Sequence, residues 1–164
     1  MDSIRIANIA DLERITEIYN QAVSSKFETA DTVEFKTEDR IDWFNSHPQD
    51  THPIFVYESN GTVVGWISIS PYRIGRKALG YTAEISYYIH ANYKRKGIGS
   101  KLIEYVLNQS KSLNFKTLFA IILDKNNASI NLLKKFGFAE WGHLPDIADF
   151  DGEECGHVYY GRKV

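Results

Sequence analysis

The sequence predicts an α/β (α+β) fold, a mixed and mostly antiparallel sheet flanked by helices. Three observations carry this. Apolar runs of strand length are interleaved with stretches whose apolar residues recur at helical spacing. Asn60-Gly61 separates two such runs and marks a tight hairpin, because both central residues of that turn need positive φ. Further on, a long strand candidate feeds through a basic, glycine-containing turn into a helix and then into an uninterrupted apolar run.

In chain order, Ile4 and Ile6 alternate with Arg5 as a short strand, and Asn8 and Asp11 open a helix that carries Leu12, Ile15, Tyr19 and Ala22. Gln21 to Lys36 has no clean period and reads as a loop with one short turn. Thr37 is the expected cap of a second helix, with Ile41 and Phe44, which stops at Pro48. Ile54 to Tyr57 and Val63 to Ile69 are the strands of the hairpin. A loop holding Pro71, Gly75 and Gly80 leads to the strand Tyr81 to Ile89. Ile98, Leu102, Tyr105, Val106 and Leu113 mark a third helix after the turn Lys94 to Gly99. Leu118 to Leu123 reads as a buried strand. Asn126 or Asn127 opens a helix through Leu132, Leu133 and Phe136, with Gly137 as its left-handed stop. Phe138 to His143 and His157 to Arg162 close the sheet. The order is β-α-α-β-β-β-α-β-α-β-β. No repeat, low-complexity stretch or linker interrupts it, so one domain over 1–164 is expected.

The bulk numbers remove whole classes of function. Nineteen basic and 21 acidic residues give a net charge of −2, so no global basic field draws the chain to nucleic acid. No apolar run is long enough to cross a membrane, and the N-terminus lacks a basic stretch followed by an apolar one, so neither a membrane partner nor a signal peptide is expected. The single cysteine, Cys155, has no partner for an intrachain disulfide, which fits a reducing cytoplasm. The five histidines show no metal-ligand spacing, so no metal is expected.

The chemistry concentrates in Thr82-Ala83-Glu84-Ile85-Ser86-Tyr87-Tyr88-Ile89-His90 and the following Lys94-Arg95-Lys96-Gly97-Ile98-Gly99-Ser100. The first N–H groups of a helix have no intrahelical partners, and the helix dipole adds positive potential there. Gly97 and Gly99 allow close approach to the backbone, so the turn suits a pyrophosphate. It is not a P-loop, and a dinucleotide fingerprint needs a third glycine where Leu102 stands. Taken alone, it reads equally as a basic turn of solvated lysines.

A second segment, Ile121-Ile122-Leu123-Asp124-Lys125-Asn126-Asn127-Ala128-Ser129, ends in Lys135-Phe136-Gly137-Phe138. With the first, it resembles the GNAT superfamily of acyl-CoA-dependent N-acetyltransferases, over nearly the whole chain. Ile18-Tyr19-Asn20-Gln21-Ala22, Phe27-Glu28-Thr29, Ser70-Pro71-Tyr72-Arg73 and Asn126-Asn127-Ala128-Ser129 are similar to the branch that acetylates phosphinothricin, methionine sulfone and methionine sulfoximine. The resemblance implies helices on both sheet faces and two near-parallel strands, those of Glu84 and of Leu118 to Leu123, that splay to admit acetyl-CoA. It implies a homodimer and a small-molecule amine as the acceptor. The implied cofactor-binding residues are Tyr88, Ile89 and His90, the turn Lys94, Arg95, Lys96, Gly97, Ile98, Gly99 and Ser100, and Asn126 and Ser129. Lys94 stands where Arg or Gln is usual. A backbone N–H near Tyr88 or Ile89 is the implied oxyanion donor. Glu84 is the implied general base. The frequent tyrosine acid falls near Leu133, which cannot donate a proton, and an acidic C-terminal position carries His157.

Several of these residues also have readings of their own. Glu84 is a charge inside an apolar, aromatic strand and must reach water, a partner or a substrate proton. Tyr72 and Arg73 sit in an inter-strand loop, as substrate contacts or as exposed residues, and Arg offers a planar fork for a carboxylate or phosphinate. Phe27 and Glu28 are pocket wall and amine contact, or core and surface. Cys155 lacks the partners of a nucleophile, and His143, His157, Tyr87 and Tyr88 read as structural. The expected activity is transfer of acetyl from acetyl-CoA to the α-amine of a small amino-acid analogue. Its rivals are a protein N-terminus, lysine or polyamine acceptor, or an acetyl-CoA sensor without turnover.

Overall fold

Asn60 and Gly61 adopt φ of 51° and 78°, the turn their identities demand, and the hairpin they close seeds one half of the sheet. The computed structural model describes residues 1–164. Its strands are β1 (Asp2–Ile6), β2 (Ile54–Ser59), β3 (Thr62–Pro71), β4 (Thr82–Ile89), β5 (Thr117–Leu123), β6 (Ala139–Phe150) and β7 (Glu153–Lys163). Its helices are α1 (Leu12–Ser24), α2 (Ile41–Asn45), α3 (Ile98–Gln109) and α4 (Asn127–Lys135). The strand order is β1-β2-β3-β4-β5-β7-β6, and β4 with β5 is the one parallel pair.

Side-chain alternation divides the sheet into two faces. Ile67, Ile69, Ala83, Ile85, Leu118 and Ala120 pack on α3 and α4 through Ile98, Leu102, Ile103, Val106 and Leu133. Ile54, Val56, Val63 and Trp66 pack on α1 through Ile15, Ile18 and Tyr19, with Trp43 and Phe44 of α2 at the margin. The Trp66 indole N–H, fully enclosed, donates to Ile15 O at 3.1 Å, so the largest side chain of this second core leaves no polar atom unpaired.

The boundaries depart from expectation in three places. The α1 helix runs past Gln21 to Ser24 before the loop begins, and the Gln21 side chain accepts a hydrogen bond from the Ala91 N–H at 2.8 Å. Thr37 does not cap α2. A 3-10 turn, Thr37–Arg40, precedes it, with the Asp39 carboxylate accepting from the Lys36 N–H at 3.0 Å. The last two strands are far longer than predicted and meet at Asp151-Gly152, with φ of 54° and 89°. That dipeptide carries the same turn signal as Asn60-Gly61. The signal is obscured because β6 is the sheet edge, mostly exposed on both faces, and shows no apolar alternation. An irregular register between Leu144 and Ala148 hides the pattern further.

Helix α3 carries the basic turn at its start, and Leu102 fixes it to the sheet with no exposed surface. Leu102→Ala is expected to lower stability by about 2–5 kcal/mol through lost burial and a residual cavity. Urea unfolding checks this, with a lower midpoint at an unchanged slope.

Candidate active site

The β4–β5 ladder extends only from Thr82 with Thr117 to Glu84 with Phe119. Backbone direction defines the opening beyond it. The His90 N–H donates to Val64 O at 2.9 Å and the Tyr72 N–H to Thr82 O at 3.3 Å, so even-numbered residues of β4 turn toward β3. The Thr117 N–H donates to Tyr81 O at 3.2 Å, so odd-numbered ones turn toward β5. On β5 the Asp124 N–H donates to Gly156 O at 2.9 Å, which turns even residues toward β7. The Ile85 carbonyl and the main-chain groups of Tyr87 and Ile89 therefore face those of Ile121 and Leu123 across a gap with no ladder between them. The gap is a cleft of about 490 Å³.

At the cleft mouth, Arg95 and Gly97 take φ of 62° and 81°, and Gly97 is the residue before α3. No side chain caps that helix, so its leading N–H groups stay available. A Cβ at Gly97 meets nothing within 4 Å; the positive φ and the open approach call for glycine there. Gly99 differs: a Cβ there comes within 2.9 Å of Leu132 Cδ2, so it serves the packing of α3 on α4. The two glycines, expected to share one role, divide it. Asn126 caps α4, its side-chain oxygen accepting from the Ser129 N–H at 3.2 Å, which leaves its amide donors free.

Tyr88, Ile89, Lys94, Arg95, Gly97, Ile98, Gly99, Ser100, Asn126 and Ser129 all line the cleft. His90 and Lys96 do not. His90 is buried and accepts from the Asn92 N–H at 3.2 Å, a turn-forming role, and the Lys96 ammonium lies over the Tyr93 ring at 4.7 Å. Glu28, read as an amine contact, is also on the cleft wall, where the Lys94 ammonium binds it at 2.5 Å. That pair neutralises both groups and ties the loop after α1 to the basic turn. Tyr87, Tyr93 and Leu132 are among the further lining residues that were missed. The alternation of Ile85, Tyr87 and Ile89 was the available signal for Tyr87.

Glu84 stands on the opposite face with Ser86 and Tyr88, beside α1 and α2. It is half-buried, makes no hydrogen bond or ion pair, and burial raises its pKa above the ordinary carboxylate value. Burial likewise pushes Tyr88 up to about 12, with its ring edge-on to Tyr19 at 4.9 Å. Tyr72 reaches this region: its ring meets Phe119, the register partner of Glu84, at 5.0 Å, and Phe119 stacks on Tyr159 at 6.3 Å. The Arg73 guanidinium lies 5.7 Å from the Tyr72 ring and is exposed. Phe27, at a φ of 64°, packs on Phe150 at 5.0 Å beside Leu123 and Cys155. His157 pairs with Leu123 in register, and burial pushes its pKa down.

The profile described as the Acetyltransferase (GNAT) family matches residues 12–138. The chain belongs to the GNAT acetyltransferase family. Over 163 residues, 99% of both chains, it is 39% identical to YwnH of Bacillus subtilis, a protein named as a candidate phosphinothricin acetyltransferase. It is 32% identical to the L-methionine sulfoximine/L-methionine sulfone acetyltransferase of Salmonella typhimurium, over 88% of this chain and 84% of that one. A crystal structure of a GNAT phosphinothricin acetyltransferase from Sinorhizobium meliloti in complex with acetyl-CoA superposes with a TM-score of 0.92 at 26% identity, covering 99% of this chain and 88% of that one.

Within this GNAT fold, Leu133 has no exposed surface and belongs to the core beneath α4, whereas its neighbour Leu132 faces the cleft. A tyrosine at 133 has no room to reach the cleft. Leu133→Tyr is expected to overpack the core, cost about 1–3 kcal/mol and bring no gain in turnover. Urea unfolding and steady-state kinetics on the same preparation check both halves.

Proposed function

We propose that this GNAT protein, a single domain over 1–164, transfers the acetyl group of acetyl-CoA to the α-amine of a small amino-acid analogue such as methionine sulfone, methionine sulfoximine or phosphinothricin. The observation that carries the reading is the broken ladder. It leaves unpaired main-chain donors and acceptors along a cleft that opens at an uncapped helix start and closes where β4 and β5 still pair, at Glu84. That arrangement fits coenzyme A: backbone N–H groups of Gly97 to Ser100 for the pyrophosphate, the Asn126 amide and strand backbone for the pantetheine amides. Acetyl-CoA supplies the activated thioester. The names of the relatives support the acceptor class.

The chain's own groups then have definite tasks. Glu84 takes the proton of the substrate ammonium. It has no competing partner, and its raised pKa makes it a better base than an exposed carboxylate. Tyr88 turns its N–H toward β3, so the donor to the negative charge growing on the thioester oxygen is the N–H of Ile89 or Tyr87. Tyr72 and Arg73 meet the acceptor's carboxylate or side-chain oxygens, and Phe27 walls the pocket. The reading includes a cytoplasmic homodimer. Trp141, Leu144 and Ile147, exposed along the edge strand β6, support the dimer, because such an edge is normally covered.

Replacing Gly97 by Val places side-chain carbon in the approach to the helix start and disfavours the left-handed backbone. Calorimetry should show weakened acetyl-CoA binding in a folded protein; unchanged affinity contradicts the site. Glu84→Gln should lower kcat by roughly 10²- to 10⁴-fold with acetyl-CoA affinity retained. Because burial raises the Glu84 pKa, the base is ionised only above that raised value. Activity therefore falls as pH drops through it, at a pH higher than an exposed glutamate gives, and the Gln variant loses this limb. For the acceptor, methionine sulfone should outperform methionine, spermidine and a short peptide, and Arg73→Ala should raise its KM roughly ten- to a hundred-fold, the worth of a charged hydrogen bond. Faster turnover of spermidine or the peptide contradicts the acceptor class.

A further inference from the structure

Breaking a thioester puts negative charge on sulfur as well as on oxygen. The backbone N–H of Tyr87 or Ile89 serves the oxygen. The sulfur needs a donor of its own, and the buried Leu133 supplies none.

Ile85, Tyr87 and Ile89 form one face of β4, turned toward α3 and α4. Ile85 and Ile89 are aliphatic, so Tyr87 alone brings a polar side-chain atom to that face. Its ring packs on the core, and its hydroxyl lies 3.5 Å from Ser129 O in the first turn of α4. That is longer than an ordinary O–H···O hydrogen bond, so the hydroxyl hydrogen is nearly uncommitted. Tyr87 and Ser129 both line the cleft. Residue 133 follows Ser129 by four positions on α4, and a helical side chain leans toward the helix start, so a tyrosine at 133 would aim at this same turn. Tyr87 reaches the turn from the facing strand instead. The other hydroxyls of the cleft wall are placed elsewhere. Ser86 and Tyr88 alternate to the opposite face of β4, and Tyr93 and Ser100 belong to the cleft mouth. Burial pushes the Tyr87 phenol above its ordinary pKa, and Tyr88, the ionisable neighbour that acts on it, pushes the same way.

We propose that Tyr87 is a catalytic residue whose hydroxyl donates a hydrogen bond to the sulfur of acetyl-CoA as the C–S bond breaks. This rests on the reading of the cleft as the acetyl-CoA site. In the tetrahedral adduct the oxyanion's electron pair re-forms the carbonyl, and the C–S pair moves onto sulfur. The nitrogen loses two protons in all. Glu84 takes the first and gives it to solvent, and the second reaches the thiolate through water. Tyr87 keeps its own proton, because its phenol is more basic than a thiolate whose thiol has a pKa of about 8.5. A donor aimed where charge grows stabilises the transition state more than the neutral thioester.

The test compares the wild type with Tyr87→Phe and Ser129→Ala. Single-turnover rates read the chemical step. Calorimetry at a series of pH values reads the affinity for coenzyme A against that for desulfo-coenzyme A, which lacks the sulfur. Glu28, Lys94 and Arg95, the charged groups of the cleft wall, meet both ligands alike, so the ratio isolates the sulfur. Tyr87→Phe removes one oxygen. It should slow acetyl transfer roughly ten- to a hundred-fold, the worth of a hydrogen bond to a charged group, with the Kd of acetyl-CoA unchanged. In the wild type the donor lowers the pKa of the bound thiol. Coenzyme A should therefore gain roughly ten- to a hundred-fold over desulfo-coenzyme A as pH rises toward about 8.5, and Tyr87→Phe should lose that gain. An unchanged rate in Tyr87→Phe, or the same pH-dependent gain in both proteins, overturns the donor and leaves the acetyl-CoA site standing. A loss confined to Kd or to Tm makes Tyr87 a packing residue and overturns it too. A gain kept in Tyr87→Phe and lost in Ser129→Ala assigns the sulfur to Ser129 and overturns the proposal. Binding of neither ligand by the wild type removes the acetyl-CoA reading itself.

Discussion

The structure turns on one unfinished ladder. A β-strand inside a sheet normally satisfies its backbone on both edges, and leaving buried N–H and C=O groups unpaired is costly. Here β4 is fully paired to β3, and β5 to β7, yet the two meet each other only over Thr82–Glu84 and Thr117–Phe119. Beyond that point their remaining edges face an open cleft. The neighbouring elements hold the gap open: α3 and α4 pack on the sheet below it, meeting each other where Gly99 lets Leu132 approach. The fold thus tolerates a row of unsatisfied groups that an extended ligand with regularly spaced amides can satisfy.

The same strand separates two chemical environments. Because successive residues of β4 point to opposite faces, Ile85, Tyr87 and Ile89 belong with α3 and α4, while Glu84, Ser86 and Tyr88 belong with α1 and α2. Basic side chains gather at the mouth, with Lys94 already matched by Glu28. At the other end the carboxylate of Glu84 has no cation near it, and desolvation alone sets its pKa. A paired Glu84 would be a weaker base. The lack of a partner is what makes it useful, provided that its proton has somewhere to go.

Most of the fold was legible because the relevant signals are local. Asn60-Gly61 fixes a turn by its own φ requirements, Gly137 ends α4 with a φ of 77°, and the strand–turn–helix around Gly97 is contiguous. The departures have non-local causes. The long β6–β7 hairpin lacked alternation because β6 lies at the sheet edge. Glu28 took a different partner because the loop after α1 folds against a turn 66 residues away. Gly99 answers to Leu132 on another helix. The pairing of His47 with Ser70 depends on α2 docking over the end of β3. Spacing in the sequence carries no trace of such contacts. Leu133 was correctly read as unable to donate a proton, but its burial came only with the structure.

The central claim, that the unpaired edges of β4 and β5 and the start of α3 form one binding surface, is tested most directly by hydrogen exchange at single-amide resolution with and without coenzyme A. The account predicts protection, on adding coenzyme A, at the amides of Tyr87 and Ile89 and at those of Gly97 to Ser100, with the amides of Tyr88 and His90 unchanged because they are already bonded to β3. Protection confined to the α1 and α2 face, or absent from Ile89 and Gly97 at saturating coenzyme A, would contradict it.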